Sequence, residues 1–139
     1  MILVDASVVS EALKAAPEKK VMAWLERQRA DRLHLSTVSI AQMMAGVEAM
    51  PAGERRDALA QATERVIERL FGDRILPFDL AAARAYGVAR IRARVLNVDI
   101  PLLEAEIAAT ALAQDCPLAT RYPAPFEAAG VRTINPWSE

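Results

Sequence analysis

One carboxylate stands out for where it falls. Asp5 closes the apolar run Ile2-Leu3-Val4, which is too short for a helix and has the unbroken hydrophobicity of a strand buried on both faces. At the carboxyl end of a parallel strand an acid lies where open α/β sheets bind ligands. Burying it there is costly unless it is paired, hydrogen-bonded or liganded. The competing explanation is that Asp5 simply caps the helix that follows. Ser7 can also cap that helix, whose apolar positions Val8, Val9, Ala12 and Leu13 recur at helical spacing. The single histidine, His34, and the single cysteine, Cys116, exclude a histidine pair, a Cys-based zinc site and an internal disulfide. No Gly-rich phosphate loop and no nucleophile elbow occurs. What remains is acids at strand ends and helix starts, an arrangement suited to Mg²⁺ or Mn²⁺ through oxygen ligands.

The elements that must position these groups follow from the pattern of the chain. Pro17 fits the opening of a second helix with Val21, Trp24 and Leu25 at helical steps, Trp24 being core. Leu33-His34-Leu35 reads as a strand with His34 on its half-covered side, and Ser36 as the cap of a helix over 37–48. In that helix Val38, Ala41, Met44 and Ala45 should share the inner face, with Gln42 beside it. Pro51-Ala52-Gly53 breaks the chain before a long amphipathic helix to about Phe71, and residues 74–78 form a third strand. A helix over 81–95 carries Arg84, Arg90, Arg92 and Arg94, a solvated face. Residues 97–101 connect to an alanine-rich helix over 103–113. Residues 117–120 form a fourth strand, Tyr122-Pro123-Ala124-Pro125 a loop, and residues 131–134 the last strand. Strands alternating with helices predict an α/β fold with a mainly parallel sheet of about five short strands flanked by helices.

Bulk properties narrow the function. The chain has 139 residues, enough for one domain with its own core, 1–139. With 53% hydrophobic and 25% charged residues it is globular. A net charge of −1 provides no bulk attraction to nucleic acid, so any such binding uses a local patch. Apolar runs fall short of a membrane span and no leader pattern opens the chain, so a cytoplasmic location is expected.

Taken in order, several short stretches resemble the PIN-domain proteins of the VapC/FitB toxin type. They are Met1-Ile2-Leu3-Val4-Asp5 with Val9-Ser10-Glu11, Leu35-Ser36 leading to Ala41-Gln42 and Gly46, and Arg74 through Asp79. Ile107-Ala108-Ala109, Leu118-Ala119-Thr120-Arg121 with Phe126, and Ile134-Asn135-Pro136-Trp137 complete the set. The resemblance spans essentially the whole chain. It implies a PIN-like three-layer fold, an Mg²⁺-dependent endoribonuclease, a homodimer and a small antitoxin partner. It also implies four acids at the carboxyl edge of the sheet, whose metal activates water against an RNA phosphate.

Position by position, the first acid is Asp5, the second falls on Gln42, the third on Glu104 and the fourth on Pro125. The resemblance thus assigns catalytic positions to Asp5, Gln42 and Glu104, metal ligation to Asp5 and Glu104, and substrate contact to Ser7 and Arg121. Tyr122 stands where the family carries a polar residue. Two of four acids are absent and one is Glu for Asp, so Mg²⁺ or Mn²⁺ binding is expected to be weak and RNA cleavage slow or lost. Glu106, two residues from Glu104, faces away on the helix, and Asp99 in the connector is the remaining acid able to reach the site. The alternative is a non-catalytic PIN-fold module that binds an antitoxin, itself or RNA.

Overall fold

The computed structural model describes residues 1–139. Five strands, β1 (Ile2–Val4), β2 (Leu33–Ser36), β3 (Ile75–Leu76), β4 (Leu118–Ala119) and β5 (Thr133–Ile134), form one parallel sheet in the order β3-β2-β1-β4-β5. Seven α-helices surround it: α1 (Ala6–Ala12), α2 (Lys19–Arg27), α3 (Thr37–Glu48), α4 (Glu54–Arg65), α5 (Leu80–Val95), α6 (Leu102–Ala113) and α7 (Pro123–Ala128). The α/β fold and the interior position of β1 are as the alternation of elements predicts.

Period-two alternation along β1 divides the core. Leu3 points into one layer with Ile107, Ala108, Leu118 and Phe126, while Ile2 and Val4 point into the other with Val8, Trp24, Leu35 and Phe71. Each of the buried Val, Leu, Ile and Phe side chains among them contributes about 1.5–3 kcal/mol. Small residues bring α5 and α6 together: Ala89 and Ala93 on one, Ala105, Ala108 and Ala111 on the other, all without solvent exposure. That close pairing fixes where α6 begins, and therefore where Glu104 lies. No helix is long and apolar enough to cross a membrane.

Several local expectations are corrected. Pro17 precedes α2 rather than opening it, and the strands of residues 74–78, 117–120 and 131–134 shrink to two paired residues each. In α3 the buried residues are Val38, Ser39, Met43 and Val47, whereas Ala41, Met44 and Ala45 are exposed. Alanine and Met are apolar enough for either side, so the inner stripe was displaced by about a quarter turn. The long helix after Gly53 changes to a π-helical turn over Val66–Phe71, closed by the Gly72 N–H on the Ile67 carbonyl at 2.9 Å. The widened turn puts Phe71 into the core at 2% exposure. Most important for the site, Tyr122–Pro125 is not a loop. Pro123 is the first residue of α7 and Pro125 the third, positions where a helix has no use for the missing N–H.

Candidate active-site cleft

The carboxyl edge of the sheet opens into a cleft of about 370 Å³ lined by Asp5, Ser7, Gln42, Glu104, Tyr122 and Pro125, among others. Asp5 follows β1 directly. Ser36 caps α3 by accepting from the Ser39 N–H at 2.9 Å, which sends the helix across the sheet edge and brings Gln42 to the cleft wall. Glu104 is the third residue of α6 and Pro125 the third of α7. Two helix N-termini therefore deliver the same helical position to one cavity, where a negative charge is favoured by the helix dipole.

Asp5 is only 7% exposed, and its burial is compensated by hydrogen bonds. Its Oδ2 accepts from the Ser7 hydroxyl at 2.6 Å and from the Thr120 hydroxyl at 2.9 Å. Those hydroxyls accept in turn, Ser7 Oγ from the Arg121 N–H at 3.2 Å and Thr120 Oγ1 from the Tyr122 N–H at 3.1 Å. Two hydroxyls thus donate to one carboxylate oxygen, and two N–H groups of the chain after β4 donate to those hydroxyls. Oδ1 takes no such bond and keeps solvent contact, since no fully buried side-chain polar atom lacks a partner. Asp5 occupies the N-cap position of α1 but its side chain bonds no helix N–H, so the capping explanation fails. Ser7 lies inside α1 and does not cap it either; its hydroxyl is engaged with Asp5.

Among the residues singled out by sequence, Asp5, Ser7, Gln42, Glu104 and Pro125 meet in this cleft. The Arg121 side chain does not line it; its guanidinium lies over the Tyr122 ring at 5.9 Å and the Trp137 ring at 5.3 Å. Asp99 stays out, 95% exposed and 3.6 Å from Arg90, and Glu106 does not line the cavity. His34 is half-exposed, its Nδ1 3.1 Å from the Arg32 carbonyl. Thr120 was not singled out as a site residue. Its signal was positional: it follows Ala119, which pairs with Val4, so the residue after β4 must neighbour the residue after β1. The other buried acid, Glu11, serves structure. It accepts from the Glu18 N–H at 2.9 Å and pairs with Lys14 at 2.6 Å, and the Lys14 bond holds its carboxyl below the ordinary glutamate value. Burial pushes the Cys116 thiol up, away from reactivity.

The donor set was tested against a divalent cation. No group of three or more His, Cys, Asp or Glu residues converges anywhere in the chain. The cleft presents two carboxylates and one carboxamide, and Mg²⁺ is ordinarily held by one or two carboxylates together with waters and substrate phosphates. The donor set therefore fits a cation completed by water and substrate oxygens, not one enclosed by protein ligands alone.

A parallel α/β sandwich with carboxylates gathered at the carboxyl edge of its sheet defines a class of protein, and comparison with known proteins places the chain within it. A family model for the PIN domain matches residues 2–122. "VapC ribonuclease Y4jK" of Sinorhizobium fredii is 41% identical, covering 99% of this chain and 98% of its own length. "Toxin FitB" of Neisseria gonorrhoeae is 36% identical over all of both chains. The solved structure of FitAB bound to an IR36 DNA fragment superposes with a TM-score of 0.92 at 37% identity, covering 99% of this chain and 96% of the other. The chain belongs to the PIN-domain family, and within it to the VapC/FitB toxin type.

Proposed function

We propose that this chain is the toxin-type member of a toxin–antitoxin pair, a homodimer that binds a small antitoxin, with metal-dependent RNA cleavage that is weak or lost. The observation that carries the reading is the cleft itself. Gln42 and Pro125 line it beside Asp5 and Glu104, at positions where the resemblance calls for four acids. Each missing carboxylate near 4 Å forgoes a gross attraction of about 4 kcal/mol per unit cation charge at an effective dielectric of 20. Phosphodiester hydrolysis needs a cation held firmly enough to generate hydroxide and neutralise the phosphate. In this reading Asp5, Glu104 and Gln42 are the residues that would hold a cation brought in with substrate.

Names of relatives support the partners: a VapC ribonuclease, a FitB toxin, and FitB solved together with FitA. Self-association has support on the surface. Val88, Ile91 and Val95 recur along one side of α5, and Leu96, Leu102 and Leu103 follow, all 40% exposed or more. An apolar stripe of this kind on a small domain marks an interaction face.

The deciding experiment is RNA cleavage and calorimetric titration with Mg²⁺ and Mn²⁺, run on the purified chain and on Asp5→Ala, with co-purification of a co-expressed antitoxin. Tight antitoxin binding with little cleavage is expected. Strong metal-dependent cleavage that Asp5→Ala abolishes would refute the weakened site.

A further inference from the structure

Beside its two carboxylates the cleft carries Gln42, Pro125 and an aromatic ring, and these have a chemistry of their own. Tyr122 lines the cavity and is 62% exposed. Its main chain is anchored on both sides, and Arg121 restrains its ring. Its N–H donates to Thr120 Oγ1, Pro123 follows it at the first position of α7, and the Arg121 guanidinium lies over its ring and that of Trp137. A ring on an anchored main chain loses less entropy when something stacks on it.

Resting on the reading of the chain as a VapC/FitB-type protein, we propose that the cleft holds a nucleobase of single-stranded RNA stacked on Tyr122, with Arg121 taking the adjoining phosphate. Three features point to the base rather than the phosphate as the buried part. The cavity, about 370 Å³, lies within the range of small-ligand pockets. With no metal ion present, Asp5 and Glu104 make it acidic, which repels a bare phosphate, whereas the Arg121 guanidinium lies outside it over the Tyr122 ring. Beside Tyr122 the walls carry apolar Met43, Pro101, Pro125 and Phe126, while Gln42 and Glu104 supply edge contacts. A carboxamide both donates and accepts, and a carboxylate accepts from an exocyclic amino group. Bases that carry an amino group are therefore preferred over uracil.

The test is fluorescence anisotropy in EDTA, so that cleavage plays no part, with labelled hexamers of adenylate, of uridylate and of abasic ribose phosphate. Wild type should bind oligoadenylate more tightly than oligouridylate, and both more tightly than the abasic chain. Tyr122→Ala should weaken oligoadenylate by about 5- to 150-fold, the span of measured base–aromatic stacking losses, and leave the abasic chain unchanged. Tyr122→Phe should retain binding, and circular dichroism should show both variants folded, since the ring is exposed. Wild-type failure to bind any hexamer overturns the proposal. So do an unaffected Tyr122→Ala, an equal loss on the abasic chain, or a loss confined to co-purified antitoxin, which would make the cleft an antitoxin site. These outcomes leave the antitoxin pairing standing, because co-purification judges that separately. Strong cleavage in Mg²⁺ would defeat the weakened-site reading without touching the stacking result in EDTA.

Discussion

Thr120→Val tests whether the hydroxyl relay holds Asp5. Valine matches threonine in shape, so the substitution opens no cavity at a position with no solvent exposure. It removes two hydrogen bonds: the one donated to Asp5 Oδ2 at 2.9 Å and the one accepted from the Tyr122 N–H at 3.1 Å. A hydrogen bond to a charged group contributes about 1.5–3 kcal/mol and a neutral one about 0.5–1.5 kcal/mol. The extra buried methyl returns roughly 0.5–1 kcal/mol. A net loss of about 2–3 kcal/mol is expected. At roughly 2.1 cal/mol/K of unfolding entropy per residue, a chain of this length loses about 7–10 °C in Tm. Urea denaturation at fixed protein concentration measures it, because a dimer's stability depends on concentration. The decisive form is a cycle with Asp5→Ala, in whose background Thr120→Val should cost about 1 kcal/mol or less. A cost within 0.5 kcal/mol of zero in the wild type, or an equal cost in both backgrounds, would refute the relay.

Other outcomes follow from the same geometry. Gln42→Glu should tighten Mn²⁺ binding in calorimetry, and adding Glu104→Asp and Pro125→Asp should tighten it further, with less than additive gains because neighbouring carboxylates repel. The Glu11 carboxyl, depressed by its Lys14 hydrogen bond, stabilises the fold above the ordinary glutamate value of about 4.5. That contribution is lost as pH falls through the lower folded-state value, so Glu11→Gln should flatten the acid limb of a stability–pH curve. Ile91→Glu with Val95→Glu places charge on the exposed stripe of α5, and light scattering should then report a monomer at tens of micromolar (roughly the range a moderate interface populates).

Sequence alone revealed those parts of the fold where hydrophobic pattern and cap chemistry agree. Ile2-Leu3-Val4 admits only a buried strand, and Ser36 before Val38 starts α3 at the residue expected. Where residues suit two environments, the pattern was blind. Alanine and Met on α3 occupy either face, and the π turn at Val66–Phe71 depends on tertiary demand for Phe71 in the core rather than on any local signal. Tyr122-Pro123-Ala124-Pro125 misled because two prolines read as helix breakers in the interior but as neutral at positions one and three. The Asp5–Thr120 contact joins residues 115 apart in sequence, and only strand order brings them together.

The relay also explains why loss of acids need not cost the chain its architecture. Ser7, Thr120 and the N–H groups of Arg121 and Tyr122 compensate Asp5 without a cation, so its position is set by the fold. Donor number, not the placement of Asp5, therefore limits metal binding. Pro125 makes the point testable in isolation. Its carbonyl accepts the Ala129 N–H at 3.2 Å, a bond any residue keeps, and its place in the first turn of α7 is one where aspartate is favoured. Pro125→Asp therefore adds a charge to the cleft without removing a backbone contact. If that added charge leaves metal affinity where it was while Gln42→Glu raises it, the fourth position does not reach the cation, and the cleft at that side belongs to Tyr122 and its ligand.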